Sequence, residues 1–278
     1  MEGCWLLVLG ALLLFLPPFL LLGAFGALRF RLKIISYCAL CLLFSALAVP
    51  VCLLKRGGRS ADNMSVVRAF GRLMKYVYGV RFEVKGLENF NIEGPCVVIS
   101  NHQSVLDMMG LFEILPDRCV QIAKKELLYA GPSGLVAYLA GVVYINRKRT
   151  SDAKSIMAEV AQTMLKENLK VWVYPEGTRN NSGDLLPFKK GAFHLAIQAQ
   201  VPVVPVVYAS YHTFYNQARN LFTSGKVKVE VLPRVETEGL TGENVSELTE
   251  KCYTMMRKTF FQLSNKAYET HGSVLAAQ

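Results

Sequence analysis

Charge is absent from two long stretches of this 278-residue sequence, and that absence sets its first limit. Residues 4 to 28 contain no Asp, Glu, Lys or Arg, and after Arg29, Arg31 and Lys33 a second such run extends from Ile34 to Leu54. As a helix rising about 1.5 Å per residue, either run is long enough to cross roughly 30 Å of hydrocarbon. A cleaved signal peptide fits less well than a retained anchor, because it needs a basic start and a short apolar core, whereas Glu2 precedes a run that is too long. The expectation is a retained membrane anchor of two apolar helices over residues 1–56. Pro17 and Pro18 interrupt the first run, which leaves a straight span and a kinked, re-entrant helix both open.

Other absences narrow the class. The seven cysteines are odd in number, and Cys4, Cys38, Cys41 and Cys52 lie in the apolar runs, so no disulfide framework is expected. Cys38 and Cys41 form a C-x-x-C with no partner pair, and no metal site is expected. The formal charge is +10, split evenly about Arg59, yet no RNP, zinc-finger or helix-turn-helix pattern accompanies it. Nucleic acid is therefore excluded as a partner. Basic residues beside apolar helices suit an anionic lipid bilayer, and a positive site suits a phosphorylated substrate. Orientation stays open, because the basic turn at 29 to 33 competes with Lys55, Arg56 and Arg59 for the cytoplasmic side. Asn63, Asn180 and Asn244 begin N-x-S sequons, which matter only in a segment that reaches a lumen. No internal repeat or low-complexity tract is present.

What the chain does contain is an alternation of strand and helix. Over residues 57–79, Met64, Val67, Phe70, Leu73, Met74 and Val77 recur at helical spacing with Arg68, Arg72 and Lys75 between them, which predicts an amphipathic helix on the membrane surface. Strands are expected near 80–85, 96–100, 119–123, 142–146, 170–174, 203–208 and 226–232. Helices are expected over 104–115, 126–139, 151–167, 189–199 and 244–264. This order implies an α/β domain over 80–265 with a largely parallel sheet flanked by helices, followed by a disordered tail at 266–278. In such sheets ligands collect beyond the carboxyl ends of the strands, which directs attention to the segments that follow each strand.

After the strand at 96–100 come His102 and, five positions on, Asp107. On one continuous helix they would lie about 140° apart, so they meet only if His102 precedes the helix. Ser104-x-x-Asp107 fits a capping box that starts the helix at Ser104 and brings the carboxylate back to the imidazole. The pair then reads as a general base with its orienting acid, against the plainer reading of a helix cap beside a loop histidine. Arg147 ends another strand, and Glu176, Gly177, Thr178 and Arg179 follow a third. A guanidinium fork and a close-approach glycine suit phosphate, although each arginine could equally be a surface ion pair. Glu176 either pairs with Arg179 or accepts from a glycerol hydroxyl. Lys125 follows the strand near 119–123.

Taken in order, His102 to Asp107, Gly141 to Arg147, Tyr174 to Arg179 and Val201 to Val206 resemble the four blocks of the glycerolipid acyltransferase family. With the paired apolar runs ahead, the likeness is to its 1-acylglycerol-3-phosphate (lysophosphatidate) acyltransferases of the animal alpha/beta type, over nearly the whole chain. The resemblance implies acyl transfer from acyl-CoA to the sn-2 hydroxyl of lysophosphatidate at the endoplasmic reticulum membrane, with the active site at its cytoplasmic face. It implies His102 and Asp107 as catalytic, and Arg147, Glu176, Gly177, Thr178, Arg179 and Lys125 around the glycerol phosphate. Val201, Pro202, Val204 and Pro205 would line the acyl pocket or simply form a buried strand. No cofactor is expected, acyl-CoA being a substrate.

Overall fold

The computed structural model describes residues 26–145 and 153–265. Its strands are β1 (Val80–Lys85), β2 (Val97–Ser100), β3 (Cys119–Lys124), β4 (Val143–Ile145), β5 (Lys170–Val173), β6 (Val203–Tyr208), β7 (Tyr215–Asn216), β8 (Leu221–Phe222) and β9 (Gly225–Val231). Seven of them form one sheet in the order β1-β9-β6-β2-β5-β3-β4, and β7 and β8 form a separate hairpin. From β6 to β4 every pairing is parallel; β9 runs antiparallel to β6, and β1 follows β9 in parallel. The carboxyl ends of β2, β5 and β3 therefore share one edge.

The helices are α1 (Gly26–Arg56), α2 (Met64–Tyr78), α3 (Asp107–Ile114), α4 (Pro132–Leu139), α5 (Ala153–Lys166), α6 (Gly191–Ala199) and α7 (Val245–Leu263). Alternate strand residues face opposite layers, as the period of two requires. Val98, Cys119, Trp172 and Val204 join the core beneath α1, α2 and α3, while Val97, Val120, Val171 and Val203 join the core beneath α5, α6 and α7. Both faces are covered, which is why these strands are unbroken apolar runs.

Several expectations need correction. Residues 29–33 are not a turn: α1 runs unbroken through Arg29, Arg31 and Lys33, and the Lys33 ammonium donates to the Phe222 carbonyl at 2.6 Å. Arg and Lys are good helix formers, so only the hydropathy is interrupted, not the helix. The first of the two anchor helices and the tail at 266–278 lie outside the described residues. α2 forms as expected, but Met64, Met74 and Tyr78 are buried in the domain core and Val67 and Phe70 pack against it, so its apolar face meets protein rather than lipid. The helix expected over 126–139 divides at Gly131-Pro132 into a 3-10 turn, Lys125–Tyr129, and α4. Gly131 sits at φ 60°, and Pro132 starts a helix more readily than it continues one.

Candidate active site

β2 delivers Ser100 to the centre of the sheet's carboxyl edge, and the chain then stays out of helix for six residues before α3 begins at Asp107. The delay leaves His102 in a loop. Its Nδ1 lies 2.6 Å from Asp107 Oδ2, which also accepts the backbone N–H of Gln103 at 2.7 Å and of Ser104 at 3.0 Å. Half of the expected capping box is present. Ser104 Oγ accepts from the Leu106 N–H instead of from Asp107, so the helix starts three residues later than expected. A carboxylate holding Nδ1–H leaves Nε2 as the free, basic nitrogen.

The loop is held on every side. Asn101 exchanges two hydrogen bonds with the backbone of Tyr208, at 3.0 and 2.9 Å, and Gln103 donates to the Ala209 carbonyl at 2.9 Å. These amides, on either side of His102, tie it to the end of β6. The imidazole stacks on the Tyr174 ring at 4.1 Å between centroids. Burial first pushes the Tyr174, Tyr208 and Tyr211 phenols well above their ordinary value of 10.0; the Asp107 charge comes next for Tyr174 and Tyr211, and after Tyr174 for Tyr208. These rings make Asp107's surroundings dry, so its pull on the imidazole is weakly screened.

Residues after β5 also converge on His102, but not all in the expected way. Glu176 is buried against the His102 loop: it is 3% exposed, with Oε1 accepting the His102 N–H at 2.7 Å and Oε2 accepting the Leu186 N–H at 2.9 Å. Burial pushes its carboxyl above 4.5, partly offset by these two N–H groups. On the other side of the His102 peptide, its carbonyl accepts from the Asn180 N–H at 2.8 Å. Gly177 has φ +68°, and a Cβ there would come within 2.7 Å of Lys189 Nζ, so the group that its bareness admits is a lysine. Thr178 and Arg179 are exposed, and Arg179 has no ion-pair partner among the described residues. Lys125 is exposed beyond β3 on the same edge of the sheet. Arg147 lies outside the described residues.

Val201, Pro202, Val204 and Pro205 lead into and build β6, hydrogen-bonded between β2 and β9, and none of them lines the apolar cavity beside α3. That cavity, about 260 Å³, opens between α1, α2, α3 and α4, with Tyr37, Phe44, Phe70, Met108, Met109 and Phe112 among its walls. Met108 and Met109 directly follow Asp107 in α3. Sequence reading missed the cavity because its walls come from four helices and from β3, all separate in sequence, and two of the helices read as membrane segments. It also missed Asn101, Gln103 and the Asp184–Arg257 ion pair, in which the buried Arg257 of α7 grips the loop after Glu176 at 2.8 Å. No group of His, Cys, Asp and Glu among the described residues could hold a metal ion.

Comparison with known proteins agrees with this geometry. A protein-family model described as Acyltransferase matches residues 81–209. Human 1-acyl-sn-glycerol-3-phosphate acyltransferase beta is 54% identical over 265 residues, covering 95% of this chain and 94% of the human protein. The human alpha protein is 50% identical over 267 residues, 95% of this chain and 93% of its own length. Among solved structures, the 1-acyl-sn-glycerophosphate acyltransferase PlsC from Thermotoga maritima matches with a TM-score of 0.66 over 87% of this chain and 97% of that one, at 22% identity, a likeness of fold.

Proposed function

The chain belongs to the 1-acyl-sn-glycerol-3-phosphate acyltransferase family, and we propose that it moves a fatty acyl group from acyl-CoA to the sn-2 hydroxyl of 1-acylglycerol 3-phosphate. The observation that carries this reading is the His102–Asp107 pair, 2.6 Å apart in a loop held from both sides, with the exposed Arg179 one residue from the Asn180 amide that grips the His102 peptide. Nε2 takes the hydroxyl proton as the oxygen attacks the thioester carbonyl; the carbon–sulfur bond breaks, and the thiolate of CoA recovers the proton from the imidazolium. Asp107 stabilises that imidazolium and fixes the ring's orientation. No side-chain nucleophile is needed. Arg179, Lys125 and Arg147 hold the acceptor's phosphate, and the cavity beside Met108 and Met109 receives an acyl chain in place of the Val201 segment.

The setting is the endoplasmic reticulum membrane with the site at its cytoplasmic face. α1 is the one helix among the described residues long and apolar enough to cross a membrane. It lies lengthwise on the domain, however, with Phe30, Tyr37, Phe44, Ala48 and Cys52 buried, which supports an anchor docked on the domain over a free-standing span. The cytoplasmic face is supported by two sequons whose amides the fold needs: the Asn63 side chain donates to the Gly58 and Leu139 carbonyls at 2.9 and 3.0 Å, and that of Asn180 to Asp184 at 2.7 Å. A glycan on either would displace these bonds.

Purified protein given one acyl-CoA and a panel of acceptors tests the reading. Phosphatidate formed from lysophosphatidate in preference to products from glycerol 3-phosphate or headgroup-bearing lysophospholipids is the expected result. Preference for another acceptor would overturn the substrate, and binding without turnover would overturn the enzyme.

A further inference from the structure

Apolar side chains left exposed by this fold are concentrated in one place outside α1. The 3-10 turn Lys125–Tyr129 exposes Leu127 (52%) and Tyr129 (78%), and α4 exposes Leu135 and Tyr138. Lys124 and Lys125 border the patch, as does Arg59, whose guanidinium lies 5.8 Å from the Tyr138 ring; Glu126 is the one acidic residue within the turn. α4 is seated directly on α1, with Ser45 and Ser133 hydroxyls 3.0 Å apart and Ala48, Cys52, Val136 and Leu139 packed together.

Helical geometry makes this patch continuous with the outer face of α1. At 100° per residue, the exposed Leu28, Ile35, Leu42 and Leu53 fall roughly 60 to 100° from Ser45 on one side, while Tyr37, Phe44 and Ala48 fall on the other, toward the domain. The contact with α4 thus lies between the buried stripe and the exposed one. Tyrosines and leucines bordered by lysine and arginine are the composition of a lipid–water boundary.

We propose that residues 124–138 form a second membrane-contact surface, seated on an anionic bilayer beside α1, and that it sets the mouth of the active site at the lipid headgroups. Lys124 ends β3 at the sheet edge from which His102 emerges, so contact here brings a membrane-resident acceptor to the base without its leaving the bilayer. α2, with its apolar side chains spent on the core, takes no part. The kinetic part of this inference rests on the acyltransferase reading; the contact itself does not.

Full-length protein in phosphatidylcholine–phosphatidylserine vesicles provides the test. Leu127→Glu and Tyr129→Glu, both exposed, should lower turnover of long-chain lysophosphatidate in the vesicles by about tenfold, as loss of interfacial contact lowers the effective substrate concentration. Turnover of a monomeric hexanoyl lysophosphatidate should stay within about twofold, the separation expected of uniform binding loss. Tyr76→Glu, on the outer side of α2, should change neither. Equal loss on both substrates, or no loss on either, would overturn the proposal. Independently of activity, a spin label at Tyr129→Cys, in a Cys38→Ser background, should meet oxygen rather than an aqueous nickel complex, and a label at Tyr76→Cys the reverse. Equal access of nickel to both labels would overturn the contact; failure of the unaltered protein to use either substrate would overturn the acyltransferase reading alone.

Discussion

Glu176 discriminates most sharply between two ways of building this site. If it held a glycerol hydroxyl, its loss would weaken acceptor binding; in the structure both of its oxygens are occupied by backbone N–H groups, one of them His102's own. Glu176→Gln keeps the shape and retains one acceptor, so one of the two bonds is lost. A hydrogen bond to a charged acceptor contributes about 1.5 to 3 kcal/mol. Expressed in the transition state through a misplaced imidazole, that loss lowers kcat roughly 10- to 150-fold. The KM for lysophosphatidate should stay within about twofold, because no group that touches the substrate has been removed. Steady-state kinetics on vesicles of fixed composition measures both constants. Stability supplies a second readout. A carboxyl raised above its ordinary 4.5 by burial favours folding most below that pH, and the contribution is lost as pH rises through the raised value. The balance of melting temperature should therefore shift toward Glu176→Gln between acid and neutral pH. A tenfold or larger rise in KM with kcat preserved would refute the reasoning and return Glu176 to the substrate.

Arg179→Ala should raise the KM for lysophosphatidate roughly tenfold or more, with a smaller change for acyl-CoA and partial restoration by Arg179→Lys, since the ammonium keeps the charge but loses the fork. An effect confined to acyl-CoA would exchange the two substrates in the site. Deleting residues 1–56 should not release a soluble enzyme, because Tyr37, Leu40 and Phe44 of α1 are core residues. At about 1.5 to 3 kcal/mol for each such side chain, their loss approaches the whole stability of a domain, about 5 to 15 kcal/mol. A soluble fragment from 57 onward with a cooperative melt would contradict this.

Much of the fold was legible because its signals are local. Seven strands and the helices between them announce themselves by composition, and the His102–Asp107 contact follows from the impossibility of pairing on one helix. What escaped was set by partners distant in sequence. The apolar periodicity of α2 is real, but periodicity cannot say whether the face meets lipid or Phe112 and Met109. Hydropathy broke the anchor at Arg29 to Lys33 because it weighs charge and ignores where a long side chain ends; the Lys33 ammonium ends on Phe222, 189 residues away. The family resemblance put Glu176 among the substrate-binding groups, and no local signal announced that the packing of the 174–186 loop against His102 would engage both of its oxygens with backbone N–H groups.

The account stands on His102 as the base. Single-turnover acyl transfer by His102→Ala, with lysophosphatidate binding and the melting temperature measured on the same preparation, tests it most directly. Removing a positioned base should slow the chemical step by on the order of 10² to 10⁴ while binding and fold persist. Transfer at an undiminished rate by folded, substrate-binding His102→Ala protein would contradict the account.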